Sequence, residues 1–211
     1  MRLHHEVLDE DRKKIFEKLG GFKKWGFLAG GTALALQLGH RISYDFDVFC
    51  SKEIENYLIA KARETFPVKT VSINSREEFT FFTRENVKIS FIHYPFDLKK
   101  HLIKNKERMD FLSVLGVAVA KAYTLNRRGS YRDYIDLYFI LEEKHYELRK
   151  IISEAKKVYG EIFSEKLFLA QLVYTDDISP KEKRGIKFLR NEISPEGVVE
   201  FFARAVKGYL V

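Results

Sequence analysis

The stretch GGTALALQLGHRISYDFDVF, residues 30–49, is the most informative part of the chain. It follows an apolar segment, 25–29, that suits a strand, and residues 32–38 are good helix formers ahead of Gly39. The predicted order is therefore strand, glycine turn, helix. Backbone N–H groups and the positive end of the helix would face outward at Gly30 and Gly31, where phosphate groups can approach without hindrance. This arrangement predicts a site for a nucleoside triphosphate.

The second half of the stretch alternates in polarity. On a strand, Asp45 and Asp47 would point to one face, whereas Phe46, Val48 and Cys50 would point to the other. Two carboxylates on one face can share a hard divalent cation that also contacts phosphate oxygens. The pair predicts a site for Mg²⁺ or Mn²⁺. A glycine pair alone, or an aspartate pair alone, is equally typical of a tight turn or a solvated strand edge, so the prediction depends on their combination.

Composition limits the class of protein. The 211 residues are 45% hydrophobic, which is enough for a buried core. The formal net charge of +7 favours a polyanionic partner. The single cysteine, Cys50, excludes an intramolecular disulfide framework. No apolar run approaches the ~18 residues that a membrane-spanning helix needs, so we expect a cytoplasmic protein without membrane contact.

Hydrophobic periodicity predicts an α/β part followed by a helical part. We expect an α/β core over residues 1–108 and a helical part over 109–211 that packs on the core and completes the site. The predicted strands are 25–29, 44–50, 68–73, 79–83 and 87–94, and the predicted helices are 8–19, 32–38, 54–65, 113–125, 133–143, 147–159, 161–172 and 195–206.

A lysine interrupts the apolar helix predicted around residues 115–123. Lys121 requires a negative partner or a cleft there, unless it extends along the helix to water. The short polar connection 126–131 would bring back an antiparallel helix whose start carries Asp133 and Asp136 on neighbouring positions of one face. These carboxylates are either functional partners of Lys121 or members of a structural ion network.

Three blocks together resemble the AbiEii/AbiGii toxin-type nucleotidyltransferases. They are AGGTALALQLGHRISYDFDVF (29–49), VKISFIHYPF (87–96) and AKAYTLNRRGSYRDYIDLYFIL (120–141), in that order. The resemblance implies an α+β, polymerase beta-like nucleotidyltransferase fold, with a small mixed sheet flanked by helices and a helical C-terminal part. It also implies a phage-defence or toxin–antitoxin role, with an antitoxin protein as a partner.

The resemblance also assigns roles to residues. Asp45 and Asp47 match the metal-binding pair, Lys121 matches a helix lysine, and Asp133 or Asp136 matches a later acid. The nucleotide-facing positions are Gly30, Gly31, Thr32 and Ser43, together with Lys121. The chain departs from the pattern at one point, because Ser90 occupies the strand where many polymerase beta-like enzymes carry a third carboxylate.

The implied reaction is transfer of a nucleoside monophosphate from a nucleoside triphosphate to an acceptor hydroxyl, with release of pyrophosphate. The favoured acceptor is RNA, including tRNA. The basic stretches 99–108 and 181–190 could contact RNA phosphates, or could be solvated surface. The alternatives are a nucleotide-binding or interaction module without turnover, which Ser90 favours, and a transferase that modifies a small molecule or a protein hydroxyl.

Two further residue types carry weaker signals. The six histidines show no compact spacing typical of a zinc site. Phenylalanine and tyrosine are spread through the predicted strands and helices, which favours core packing over base stacking.

Overall fold

The computed structural model describes residues 3–127 and 129–211. The chain divides into two units, one that ends at Ser113 and one that begins at Val114. The first unit is α/β and the second is helical. The sequence places the division at residue 108; the first unit extends further because the short strand at Phe111 pairs with Leu28.

The first unit combines a sheet with three α-helices in its described residues. The helices are α1 (Glu10–Leu19), α2 (Gly30–Leu38) and α3 (Asn56–Thr65). The strands are β1 (Gly26–Ala29), β2 (Phe46–Cys50), β3 (Val68–Asn74), β4 (Glu78–Thr83), β5 (Lys88–His93), β6 (Leu102–Ile103) and β7 (Phe111–Leu112).

These strands form one mixed sheet in the order β3-β4-β5-β2-β1-β7-β6. The β2 strand lies near the middle, antiparallel to β1 and parallel to β5. The five strands predicted from the sequence are present. The strands β6 and β7 were missed because each has only two residues, too few to show a period of two within a lysine-rich segment.

One face of the sheet is the core of the first unit. Its side chains are fully buried, among them Leu28, Phe46, Val48, Phe79, Phe81, Ile89 and Phe91. On the other face, Asp47 and Phe49 of β2 and Phe27 of β1 are half-buried, whereas Ala29 and Ser90 are buried. This difference between the two faces is the one that the alternation of residues 44–50 predicts.

Cys50 belongs to the buried face. Its side chain is 3% exposed, and burial raises the pKa of the thiol to about 12. The group therefore stays protonated at neutral pH and behaves as a small apolar side chain.

In the described residues of the second unit, the regular elements are helices, apart from a single β-bridge residue at Phe188. Its helices are α4 (Val114–Leu125), α5 (Tyr131–Glu142), α6 (Leu148–Tyr159), α7 (Glu165–Leu172), α8 (Pro180–Arg184) and α9 (Pro195–Leu210). The helix predicted over 161–172 begins later, because the Ser164 side chain accepts a hydrogen bond from the Leu167 N–H and caps α7. The short α8, which begins after Ser179, was not predicted.

Every helix in the part of the chain that the structure describes is too short or too polar to span a lipid bilayer.

Candidate functional site

The glycine turn lies directly against an acidic side chain. The β1 strand ends at Ala29 and α2 begins at Gly30, whose φ of +65° is in the left-handed region that favours glycine. Ala29 and Asp47 are paired on adjacent antiparallel strands. A Cβ placed on Gly30 would lie only 2.6 Å from Oδ2 of Asp47. The absence of a side chain at Gly30 therefore leaves the Asp47 carboxylate room beside the start of the helix.

The segment between α2 and β2 is fixed at several points. Gly39, with φ +65°, ends α2 and donates its N–H to the Ala35 carbonyl. The Arg12 Nε donates to the Tyr44 carbonyl over 2.9 Å. Arg12 was not a predicted site residue, because it lies far from the motif in the chain and its spacing carries no signal. Its hydrogen bond positions the residue immediately before Asp45.

Thr32 and Ser43 hold the backbone of Asp45 in the structure. The Thr32 hydroxyl donates to the Asp45 carbonyl, and it therefore accepts from the Ser43 hydroxyl, 2.6 Å away. Both side chains are buried, at 2% and 4% exposure. In the structure, the hydroxyls of Thr32 and Ser43 therefore position Asp45. Their contact with a nucleotide stays a prediction.

Asp45 and Asp47 form the acidic part of the site. Asp45 directly precedes β2, Asp47 lies within it, and both residues are half-buried. Phe46 and Val48 are fully buried in the core of the unit. The structure thus shows the alternation that the sequence predicts.

The pair has the donor chemistry that Mg²⁺ requires, namely hard carboxylate oxygens. Within residues 3–127 and 129–211, no group of three or more His, Cys, Asp or Glu side chains is arranged to hold a metal ion. Mg²⁺ is commonly held by one or two carboxylates together with substrate phosphates and water rather than by a complete protein cage. The Asp47 carboxylate lies against Gly30 at the start of α2, where a phosphate-binding turn was predicted. The residues therefore fit a metal–nucleotide pair better than an isolated metal ion.

Ser90 is the partner of Asp47 on the parallel strand β5. Thr80 on β4 is the partner of Ser90 in turn. The side chains of Ser90 and Thr80 are 2% and 3% exposed. The position next to Asp47, where the resemblance would place a third carboxylate, therefore holds a small neutral hydroxyl.

Lys121, Asp133 and Asp136 form a buried ion cluster within the second unit. The Lys121 Nζ lies 2.5 Å from Oδ1 of Asp133 and 2.8 Å from Oδ2 of Asp136. Lys121 is 8% exposed and Asp136 is fully buried, so the lysine does not extend to water. The other oxygen of Asp133 accepts the Ser130 N–H at the start of α5. The sequence left open which of the two aspartates is the functional acid; both contact Lys121, and that choice stays a prediction.

The basic stretch 99–108 surrounds a buried carboxylate. Asp110 accepts from Lys104 Nζ over 2.9 Å and from the Asn105 N–H over 2.9 Å, and Lys23 Nζ lies 3.0 Å from it. Burial opposes ionisation of Asp110, but these bonds outweigh it and lower the pKa of the carboxyl below its usual value. Some lysines of this region therefore stabilise the loop between β6 and β7.

Several residues of the second basic stretch, 181–190, contact other parts of the second unit. Glu182 accepts the Tyr131 N–H at the start of α5, over 2.7 Å. Arg190 pairs with Glu143 at 2.8 Å, and Lys183 donates to the Thr175 hydroxyl over 3.2 Å. The side chains of this stretch that remain exposed include Lys181, Arg184 and Lys187.

The family to which the chain matches is the one that the three sequence blocks resemble. A family model described as "Nucleotidyl transferase AbiEii toxin, Type IV TA system" matches residues 16–204. The chain belongs to this AbiEii family. A curated relative, "Uncharacterized protein aq_aa25" of Aquifex aeolicus (strain VF5), is 32% identical over 211 residues, covering 96% of this chain and 98% of the relative.

Solved structures show that this AbiEii protein has a nucleotidyltransferase fold. A "putative nucleotidyltransferase from H. pylori" aligns with a TM-score of 0.57 at 16% identity, covering 95% of each chain. JHP933 from Helicobacter pylori aligns with a TM-score of 0.55 at 15% identity, covering 97% of this chain and 92% of that one. The predicted polymerase beta-like fold with a helical C-terminal part is confirmed. The roles of the individual site residues stay predictions.

Proposed function

We propose that this AbiEii protein is a metal-dependent nucleotidyltransferase that transfers a nucleoside monophosphate to a hydroxyl of RNA, including tRNA, and releases pyrophosphate. One observation carries the proposal. The glycine turn at Gly30 lies closely against the Asp47 carboxylate, and Asp45 lies two residues before Asp47 along the same segment. A phosphate-binding turn beside two hard oxygen ligands is what a metal–triphosphate pair requires.

In this proposal, each candidate site residue of the first unit has a defined role. The N–H groups at Gly30 and Gly31 bind the triphosphate, with the positive end of α2 beneath them. Asp45 and Asp47 would hold Mg²⁺, which when bound stabilises the charge on the phosphate oxygens during displacement. Thr32 and Ser43 keep Asp45 in place through their hydrogen bonds.

In the second unit we assign Lys121 to neutralisation of phosphate charge. Asp133 and Asp136 would orient its ammonium group, or one of them would take the proton of the acceptor hydroxyl. Their distances of 2.5 and 2.8 Å from Nζ support the orienting role for both.

The net charge of the chain and the description of its family support the proposed binding partners. A net charge of +7 favours an anionic acceptor such as RNA. The family description as a toxin of a type IV toxin–antitoxin system supports a toxin role with an antitoxin partner.

The test is a transfer assay on the purified protein. The protein is incubated with each labelled nucleoside triphosphate, Mg²⁺ and either total RNA or tRNA. We expect label in the RNA, with equimolar pyrophosphate, for the wild type and for Asp11→Ala, a control at an exposed aspartate of the same unit. We expect no label for Asp45→Ala or Asp47→Ala. Equal labelling by all four proteins would exclude the assigned site.

The same assay separates the alternatives. Nucleotide binding without pyrophosphate release would favour a module that has lost turnover, which the hydroxyl of Ser90 beside Asp47 supports. Pyrophosphate release that persists after ribonuclease treatment would favour a small-molecule or protein acceptor.

A further inference from the structure

A strip of aromatic rings runs from the half-buried face of the sheet in the first unit to the segment that follows β5. Phe49 stacks on Tyr94 with ring centroids 4.1 Å apart and planes within 9°. Phe27 meets Phe49 edge to face at 6.2 Å, and Phe96 meets Tyr94 edge to face at 5.3 Å. We call Phe27, Phe49, Tyr94 and Phe96 the aromatic strip.

The aromatic strip differs from the phenylalanines of the sheet that are buried in the core. Phe46, Phe79, Phe81 and Phe91 are fully buried in the core, as the spread of phenylalanine through the predicted strands indicates. All four rings of the strip are only half-buried. Packing of the core therefore does not account for their position.

The strip begins beside the candidate metal ligands. Phe49 follows Asp47 by two residues on β2, so the two side chains share one face of the sheet, about 7 Å apart along the strand. Phe27 is the cross-strand partner of Phe49 and lies on that face as well. A chain bound along the strip would thus have one end close to Asp47.

The other end of the strip opens into a basic pocket. Phe27, Tyr94 and Phe96 line a pocket of about 410 Å³, within the range of roughly 300–1,000 Å³ that is usual for ligand sites. Its lining includes four lysines against two aspartates: Lys23, Lys24, Lys99, Lys104, Asp97 and Asp110. The balance of charge in the pocket is positive.

One of these lysines extends the aromatic surface. The Lys24 ammonium lies 4.1 Å from the ring centre of Trp25 and 4.7 Å from that of Tyr57. Trp25 lines the pocket beside Lys24, and Tyr57 is 63% exposed. Next to the aromatic strip, the rings of Trp25 and Tyr57 therefore lie beside a cationic side chain.

We infer that the aromatic strip and its basic pocket bind the unpaired 3′ segment of an RNA acceptor, with bases stacked on the rings and phosphates beside the lysines. This combination of stacking surface and cationic groove is the usual means of binding single-stranded nucleic acid. The direction of the strand, with its 3′ hydroxyl at Asp47, rests on the proposed function. An acidic peptide would pair with the lysines but would gain little from the half-buried rings, whereas bases can stack on them.

The test measures binding of a fluorescent single-stranded oligoribonucleotide to the full chain by anisotropy, without nucleotide. The double variant Tyr94→Leu/Phe96→Leu retains apolar bulk but loses the flat rings, and Lys99→Glu reverses one charge of the pocket. We expect each to weaken binding by about tenfold or more. Matched controls in the second unit, Tyr174→Leu and Lys166→Glu, remove an exposed ring and reverse an exposed lysine there, and we expect wild-type affinity.

The double variant Tyr94→Trp/Phe96→Trp keeps flat rings and should restore binding, which separates stacking from mere loss of folding. Equal affinity of the wild type and the strip variants for RNA would overturn the inference, as would displacement of the RNA by poly-glutamate at lower concentration than by unlabelled RNA. The proposed function would survive that result if label still entered an acceptor. Strip-dependent RNA binding without nucleotide transfer would support the strip and reject the proposed function.

Discussion

Ser90 lies directly opposite Asp47 on the adjacent parallel strand. The serine is 2% exposed, whereas Asp47 is half-buried. Paired positions on neighbouring strands place their side chains on the same face within a few ångströms. The acidic site of the first unit is therefore built on Asp45 and Asp47, next to a neutral position where a third carboxylate would also contact a bound cation.

Ser90→Asp should make the first unit sensitive to divalent cations. Without a cation, a third carboxylate next to Asp47 adds like-charge repulsion in a buried place and lowers the melting temperature. Mg²⁺ should raise the melting temperature of the variant by more than it raises that of the wild type, because a third hard ligand binds the ion more tightly. Thermal unfolding with and without Mg²⁺ measures both effects.

The control for this experiment is Ser153→Asp, which adds the same charge at an exposed position of α6. We expect its response to Mg²⁺ to match that of the wild type. A Mg²⁺ response of Ser90→Asp no larger than that of the control would argue against a cation site at Asp47.

Gly30→Ala should impair both folding and nucleotide transfer. The added Cβ would lie 2.6 Å from Oδ2 of Asp47, and Gly30 has φ +65°. A side chain in this conformation costs about 1 kcal/mol or more of unfolding free energy, and the contact would displace the carboxylate. Gly21→Ala is the control, because a Cβ there meets nothing within 4 Å. Chemical denaturation and the transfer assay are the measurements, and a Gly30→Ala protein as active as Gly21→Ala would contradict the assignment.

Lys121→Met should strongly destabilise the second unit. It leaves the carboxylates of Asp133 and Asp136 buried without the ammonium that lies 2.5 and 2.8 Å from them. Removal of one partner of a buried ion pair typically costs about 3–5 kcal/mol. The triple variant Lys121→Met/Asp133→Asn/Asp136→Asn removes the charges together and should recover much of the lost free energy of unfolding.

The triple variant also separates a structural role from a catalytic one. We expect it to fold and to bind RNA, but to transfer nucleotide at least about a hundredfold more slowly per folded molecule, in line with loss of a group that stabilises developing charge. Transfer at the wild-type rate by the folded triple variant would assign the cluster to stability alone.

Asp110 should make stability depend on pH in the acidic range. Its pKa is lowered from 3.8 in the folded state, so its contribution is fully present above that value and is lost as pH falls through the lower folded pKa. The difference in melting temperature between the wild type and Asp110→Asn should be constant above pH ~4 and should shrink below it. A difference in melting temperature between the wild type and Asp110→Asn that stays unchanged at low pH would contradict this account.

The sequence predicted the elements that local patterns control. Alternation of polar and apolar residues identified β2 and the two faces of Asp45 and Phe46, and Gly39 ended α2 in the left-handed conformation typical of a helix terminus. The apolar neighbours of Lys121 indicated a negative partner or a cleft, unless the side chain extended to water, and the structure shows two aspartate partners. Each of these features depends on residues close together in the chain or on a simple electrostatic requirement.

Features that depend on distant residues were not predictable in the same way. The hydrogen bond from Arg12 to the Tyr44 carbonyl joins residues 32 positions apart. Phe49 and Tyr94 meet only because β2 and β5 are neighbours in the sheet. The sequence shows that aromatic residues are abundant. The order of the strands in the sheet determines which of them lie outside the core.

The most direct test of the central claim is the position of a bound metal. Crystals of the wild-type protein grown with Mn²⁺ and a non-hydrolysable nucleoside triphosphate analogue would show Mn²⁺ by its anomalous scattering. We predict a peak within about 2.0–2.6 Å of carboxylate oxygens of Asp45 and Asp47, the usual range for hard cations, with the triphosphate against Gly30 and Gly31. Mn²⁺ and triphosphate bound elsewhere on the molecule, away from both aspartates, would contradict the account.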